Sequence, residues 1–181
     1  DRSKFKKALL AANRAVDQFP YSTELLTRKA QVLSSLEEYE EALQLLEQAQ
    51  TLNPSDVDII MSIGSVLSLQ GKHQEAIQVY ESALLYNEEE QDEIYYNIGL
   101  AHQSMEEFEQ AIDAYKKSID HNLTHEGSLY ELAYCLDVVG QLESSLSYYR
   151  KFIDEDPYSA PAWYNLGIVC NKLERYDEAI E

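Results

Sequence analysis

The sequence predicts an all-α protein built from repeated helix pairs, and three observations carry that prediction. Small residues recur twelve positions apart, as Ala30/Ala42, Gly64/Ala76, Gly99/Ala111, Gly167/Ala179 and, more loosely, Ala133/Ser145. Ala8, Ala42, Ala76, Ala111, Ser145 and Ala179 follow one another at steps of 34, 34, 35, 34 and 34. Pro20, Pro54 and Pro157 each stand twelve residues after one of those small residues. A fixed period of this length is the mark of a repeat architecture. Six glycines and four prolines in 181 residues, with 45% hydrophobic residues, suit packed helices.

The elements follow in order. Residues 3–18 place Phe5, Ala8, Leu9, Ala12, Ala15 and Val16 on one helical face. In register this is the second helix of a pair, and Pro20 stops it. Whole repeats are expected at 22–53, 56–87, 92–122 and 125–156, with a fifth beginning at 160. Ser22 is the expected N-cap of the first, and Ser55 or Asp56 of the second. Gly71 and Gly140 mark tight turns inside two of the pairs. Residues 87–92 read Asn-Glu-Glu-Glu-Gln-Asp, an acidic solvated loop that holds the one extra residue of the 35-step. Pro161 suits the first turn of a helix. Another helix is expected to start at Tyr176. The whole of 1–181 reads as one solenoid, cut from a longer array, with apolar strips at both ends that favour end-to-end association.

These motifs carry a resemblance. Trp163-x2-Leu166-Gly167, Tyr95-x2-Ile98-Gly99, Ile60-x2-Ile63-Gly64 and, more loosely, Leu129-x2-Leu132-Ala133 and Leu26-x2-Lys29-Ala30 in first helices, with Ala76-x3-Tyr80, Ala111-x3-Tyr115, Ser145-x3-Tyr149 and Ala42-x3-Leu46 in second helices, resemble the tetratricopeptide repeat (TPR) family. The tyrosine place of the first helix is degenerate, filled by Leu33, Leu67, His102, Leu136 and Cys170. The resemblance implies a right-handed superhelical solenoid of antiparallel helix pairs. Its physical basis is plain: small residues let two helices approach closely, and stacking buries faces that one repeat cannot bury alone.

Charge bounds the partners. The net charge is −19, and it is uneven. Residues 1–29 hold seven Lys/Arg against three Asp/Glu, whereas 30–115 hold Lys72 alone against eighteen. Nucleic acid is a poor partner for such a chain, because its binding needs clustered basic residues. No apolar run is long enough for membrane insertion, and no apolar leader segment stands at the start. Cys135 and Cys170 sit in apolar surroundings and read as buried, reduced thiols, which favours a cytoplasmic setting.

No catalytic set is found. His121 and His125 flank a turn near Asp120, but a closed metal site needs more ligands than these. No phosphate loop or nucleophile motif is present, so neither enzyme activity nor a cofactor is implied.

In the TPR family the first helices of successive repeats line a concave groove. Carried onto this sequence, the groove holds Tyr96, Asn97, Tyr130, Glu131, Tyr134, Asp137, Tyr164 and Asn165. Tyr96, Tyr130 and Tyr164 are 34 apart and form a ladder. The ladder is read either as a peptide footprint or as ordinary repeat sequence. The lysine and asparagine set with which chaperone-binding relatives clamp a carboxylate is missing: its places hold Thr27, Gln31, Ser62, Glu93 and Asn97, or Tyr96, Leu100, Glu131, Pro161 and Asn165. The expected function is a non-catalytic scaffold that binds a protein or peptide, one with basic residues and an apolar or aromatic anchor. The alternatives are a regulatory or substrate-presenting module of a larger enzyme or secretion complex, and a self-assembling structural array.

Overall fold

A computed structural model describes residues 2–86 and 91–177. Ten helices are found there: α1 (Arg2–Gln18), α2 (Thr23–Ser34), α3 (Tyr39–Leu52), α4 (Val57–Leu69), α5 (His73–Ala83), α6 (Gln91–Ser104), α7 (Phe108–His121), α8 (Glu126–Val138), α9 (Leu142–Glu155) and α10 (Ala160–Lys172). The all-α expectation is borne out, with no strand among the described residues. Most of the acidic loop at 87–92 and most of the helix expected from Tyr176 lie outside the described residues.

Two compact units divide the chain, the first ending at residue 88 and the second starting at residue 89. In unit 1, α1 packs on α2, α2 on α3, α3 on α4 and α4 on α5, and α2 also touches α4. In unit 2, each helix from α6 to α10 packs on the next, and α6 touches α8 as α8 touches α10. Within each unit, therefore, the first helices of successive hairpins lie side by side.

The hairpins close by one device. A residue in the left-handed region ends each first helix: Glu37 (φ 66), Gly71 (φ 77), Glu106 (φ 59), Gly140 (φ 80) and Glu174 (φ 61). The next amide then bonds back across five residues, as in Lys72 N–H to Leu67 O and Gln141 N–H to Leu136 O, at 2.9 and 2.8 Å. This satisfies carbonyls that the helix end would leave open. Gly71 and Gly140 were legible as turn residues; the three glutamates take the same conformation without a glycine's freedom.

Helix starts also have local causes. The Ser22 hydroxyl accepts from Leu25 N–H at 3.4 Å, and the Asp56 carboxylate from Ile59 N–H at 3.3 Å. Asp56, not Ser55, is the cap. Pro161 sits in the first turn of α10, where a missing N–H is harmless.

The paired small residues explain the close approach. A Cβ on Gly64 would stand 2.3 Å from the Tyr80 ring, and one on Gly99 would stand 2.4 Å from the Tyr115 ring. Tyr80, Tyr115 and Tyr149 are all buried, each supplied by a second helix. Ser145, which stands where the other repeats carry alanine, satisfies its buried hydroxyl by donating to Ala133 O at 2.7 Å. Burying each such large side chain contributes roughly 1.5–3 kcal/mol. Cys135 and Cys170 are free and buried, as expected. The apolar face of α1 is only half-buried, and Phe5 and Leu10 stay exposed.

Candidate functional site

All eight candidate groove residues fall in unit 2, on α6, α8 and α10. Helical spacing puts Tyr130, Glu131, Tyr134 and Asp137 along one stripe of α8, flanked by Tyr96 and Asn97 on α6 and Tyr164 and Asn165 on α10. The structure brings Tyr130 and Asn165 into direct contact and gives the tyrosines different environments.

Tyr96 and Tyr130 are half-buried. The Tyr96 ring packs on Tyr115 at 6.0 Å and on His125 at 5.0 Å between centroids. Tyr130 meets Tyr149 and Phe152 edge-on, at 5.8 and 5.3 Å. Tyr134 is 40% exposed and Tyr164 71% exposed. The ladder is thus two tyrosines embedded in repeat-to-repeat packing, Tyr96 and Tyr130, and one that faces solvent, Tyr164, with Tyr134 exposed beside it.

The polar groups are mostly engaged. Asn97 donates to the Glu93 backbone oxygen of its own helix at 2.8 Å. Asn165 donates to the Tyr130 hydroxyl at 2.9 Å, joining α10 to α8. Asp137 is paired with Lys172, whose Nζ lies 2.6 and 2.7 Å from its two carboxylate oxygens. Glu131 accepts from Gln103 Nε2 at 2.9 Å. Gln103 Oε1 in turn accepts from the Tyr115 hydroxyl at 2.7 Å and the Cys135 thiol at 3.2 Å. Glu93 meets His125 Nε2 at 3.1 Å.

These contacts set the titration of the site. Burial, then the charges of Glu131 and Glu93, raise the Tyr96 hydroxyl above its ordinary value. Burial and Glu131 likewise raise Tyr130, against a smaller opposing effect of the Asn165 hydrogen bond. Burial first and Glu131 second push the Cys135 thiol up to about 12. The phenols and the thiol therefore remain protonated near neutrality, as donors and apolar surface rather than as nucleophiles.

Three participants were not singled out as site residues from the sequence. Gln103 occupies the last groove place of its helix but reads as one polar surface residue among many. Lys172 reads as a lone cation near the end of α10. His125 was weighed only as a metal ligand; instead its Nδ1 accepts from Ser128 N–H at 3.0 Å and caps α8. His121 stacks on Tyr95 at 5.7 Å, with Lys117 Nζ 5.3 Å from the centre of that ring. No group of three metal-ligating side chains occurs among the described residues, and no helix described is long and apolar enough to cross a membrane.

Hairpins closed by a shared left-handed turn, small residues facing buried tyrosines and a period of 34 define a helical-repeat protein. Tetratricopeptide repeat models match residues 93–125 and 148–181, and the model of anaphase-promoting complex, cyclosome, subunit 3 matches residues 1–83. The chain belongs to the tetratricopeptide repeat family. Among curated proteins it is similar to the photosystem I assembly protein Ycf3 of Prochlorococcus marinus, 27% identical over 88 residues, which cover 47% of this chain and 51% of that protein. The matched stretch thus spans about half the length of that relative. Among solved structures it resembles PilW, a type IV pilus biogenesis factor, with TM-score 0.85 and 18% identity over 98% of this chain and 82% of that one. It also resembles YrrB, a TPR protein with an unusual peptide-binding site, with TM-score 0.69 and 24% identity over 93% and 87% of the two chains. At these identities the structural likenesses establish the fold. Proteins of this kind are generally non-catalytic interaction scaffolds.

Proposed function

We propose that this chain is a non-catalytic scaffold and that the α6–α8–α10 face of unit 2 receives a peptide segment of a partner protein. The observation that carries this reading is the exposure of Tyr134 and Tyr164 beside the Asn165–Tyr130 hydrogen bond. Two rigid aromatic side chains on neighbouring packed helices offer apolar area and polar tips at low entropic cost. The peptide-binding site named for YrrB, the photosystem I assembly role named for Ycf3 and the pilus biogenesis role named for PilW support it by analogy. An apolar or aromatic anchor would seat against Tyr134 and Tyr164. Basic residues would be drawn by Glu93 and Glu131, since Lys172 already neutralises Asp137.

The test starts from an unbiased pull-down with mass spectrometry, followed by titration of the captured partner. Tyr134→Ala with Tyr164→Ala weakens binding at least tenfold, about 1.4 kcal/mol, without loss of helix content. Glu93→Gln with Glu131→Gln weakens it less and flattens its salt dependence. A partner that binds both double variants as well as the parent chain excludes this face.

A further inference from the structure

The outer face of α1 inverts the charge of its neighbours in unit 1. The helix carries Arg2, Lys4, Lys6, Lys7 and Arg14 against Asp17, in a chain of net charge −19. Lys6 and Lys7 stand where the next second helices, α3 and α5, have Glu40 and Glu41, and Gln74 and Glu75. Lys6, Lys7 and Arg14 are exposed, and none has a carboxylate partner among the described residues. Arg28, Lys172 and Arg175, by contrast, each meet a carboxylate of their own chain. Leu10 stands one turn from Lys7 and one turn from Arg14 on the same face, and is 56% exposed.

A complementary surface lies on α3. Glu38, Glu41 and Glu47 are exposed without a cation partner among the described residues, and Glu40 accepts from the neutral Gln70 side chain at 3.2 Å, which leaves its charge uncompensated. Within one chain the two faces do not meet: α1 packs on α2 and α2 on α3, and no contact joins α1 to α3 among the described residues. The spacings match. Lys7, Leu10 and Arg14 lie at i, i+3 and i+7, and Glu40, Gln44 and Glu47 at i, i+4 and i+7. Each stripe spans about 10.5 Å along its helix axis. Laid antiparallel with Leu10 on the methylene stem of Gln44, Lys7 falls opposite Glu47 and Arg14 opposite Glu40.

We propose that unit 1 docks on unit 1 of a second copy of this chain through these stripes, α1 of each copy on α3 of the other. The pairing is reciprocal, so a two-fold dimer makes the contact twice. The opposed charges set the register, and Leu10 with the Gln44 stem supplies the apolar centre. Net repulsion between two acidic chains acts at long range and is screened beyond ~10 Å at about 0.1 M salt, whereas the paired charges meet at contact. The surface belongs to second helices, not to the first helices of the candidate peptide face, and its occupant is the chain itself.

Sedimentation equilibrium of the whole chain, up to millimolar concentration at about 0.1 M salt, shows a monomer–dimer equilibrium that weakens at about 1 M salt. Lys7→Glu with Arg14→Glu weakens dimerisation by about tenfold or more, and so does Glu40→Lys with Glu47→Lys, each with unchanged helix content. Mixing the two double variants restores the dimer, because each then offers the sign that the other needs, which an unfolded variant cannot do. Tyr134→Ala with Tyr164→Ala leaves dimerisation unchanged, so this contact and the unit 2 face stand or fall separately. A parent chain that stays monomeric throughout, dimerisation that survives either charge variant, or a mixture that remains monomeric overturns the proposal.

Discussion

Asn165 on α10 donates to the Tyr130 hydroxyl on α8 across 2.9 Å, a hydrogen bond between first helices of adjacent repeats. The Tyr130 ring is at the same time wedged against Tyr149 and Phe152. One side chain thus serves both the core and the candidate binding face. Tyr130→Phe with Asn165→Ala, measured as a double-mutant cycle in urea, yields a coupling of about 0.5–1.5 kcal/mol. Tyr130→Ala costs about 3 kcal/mol or more, because it leaves a cavity beside two aromatic rings. A coupling within error of zero would mean that the hydrogen bond does not form in solution.

The left-handed turn residues predict opposite responses to glycine. Glu106 holds φ 59, where a β-carbon costs roughly 1–2 kcal/mol. Glycine removes that strain but adds freedom to the unfolded chain worth about 0.5–1 kcal/mol. Strain relief is the larger effect, so Glu106→Gly raises stability by about 0.5–1 kcal/mol. Gly140→Ala, at φ 80, lowers it by about 1 kcal/mol. Urea midpoints of the two variants that move in the same direction refute the comparison.

Gly99 has no room for a methyl group. Alanine normally gains about 1 kcal/mol over glycine within a helix. Here its Cβ would meet Tyr115 Cε1 at 2.4 Å, and that ring is fully buried with its hydroxyl held by Gln103. Overpacking of about 1–3 kcal/mol outweighs the propensity gain. Gly99→Ala therefore destabilises, and the loss shrinks when Tyr115→Leu is added. Thermal melts that show Gly99→Ala at or above the parent midpoint contradict this packing.

Alkaline pH weakens unit 2. The Cys135 thiol, 0% exposed, ionises at about 12 in the folded chain and near 9.0 as a free group. Tyr96 and Tyr130 are raised above 10.0 in the same direction, by burial first and then by Glu131. Between the lower and upper values the unfolded chain has already lost protons that the folded chain keeps. Stability is therefore fully present below pH ~9 and falls as pH rises from there toward 12. Urea midpoints at pH 8 and 10.5 measure the fall, and thiol reagents label Cys135 at pH 8 only as fast as the chain opens. Rapid labelling of the folded chain would show the thiol to be accessible.

The period, the hairpins and the core were legible in the sequence because they rest on local or strictly repeating signals. Gly64, Gly99 and Ala133 are small where a second helix must approach, and Leu26, Tyr80, Tyr115 and Tyr149 recur at places that stacking must bury. Gly71, Gly140, Ser22 and Pro161 announce turns, caps and helix starts by backbone chemistry that needs no tertiary context. A side-chain partner about one repeat away is a different matter. Asp137 meets Lys172, Glu131 meets Gln103, and His125 meets Glu93, at separations of 28 to 35 residues. Each pairing depends on which rotamer points across the seam between stacked hairpins, and the sequence offers several polar candidates for every seam. Hence Lys172 neutralises Asp137, one of the carboxylates the groove was expected to show a cationic ligand, and His125 caps a helix. Glu37 and Glu106 hold a left-handed conformation that their residue type disfavours, because the closed hairpin demands it. Sequence by itself determined the repeat, the helix pairs and the buried tyrosines. Which of the candidate tyrosines face solvent, and which carboxylates are already paired, was decided only when the repeats stacked, since both are properties of the interface between hairpins.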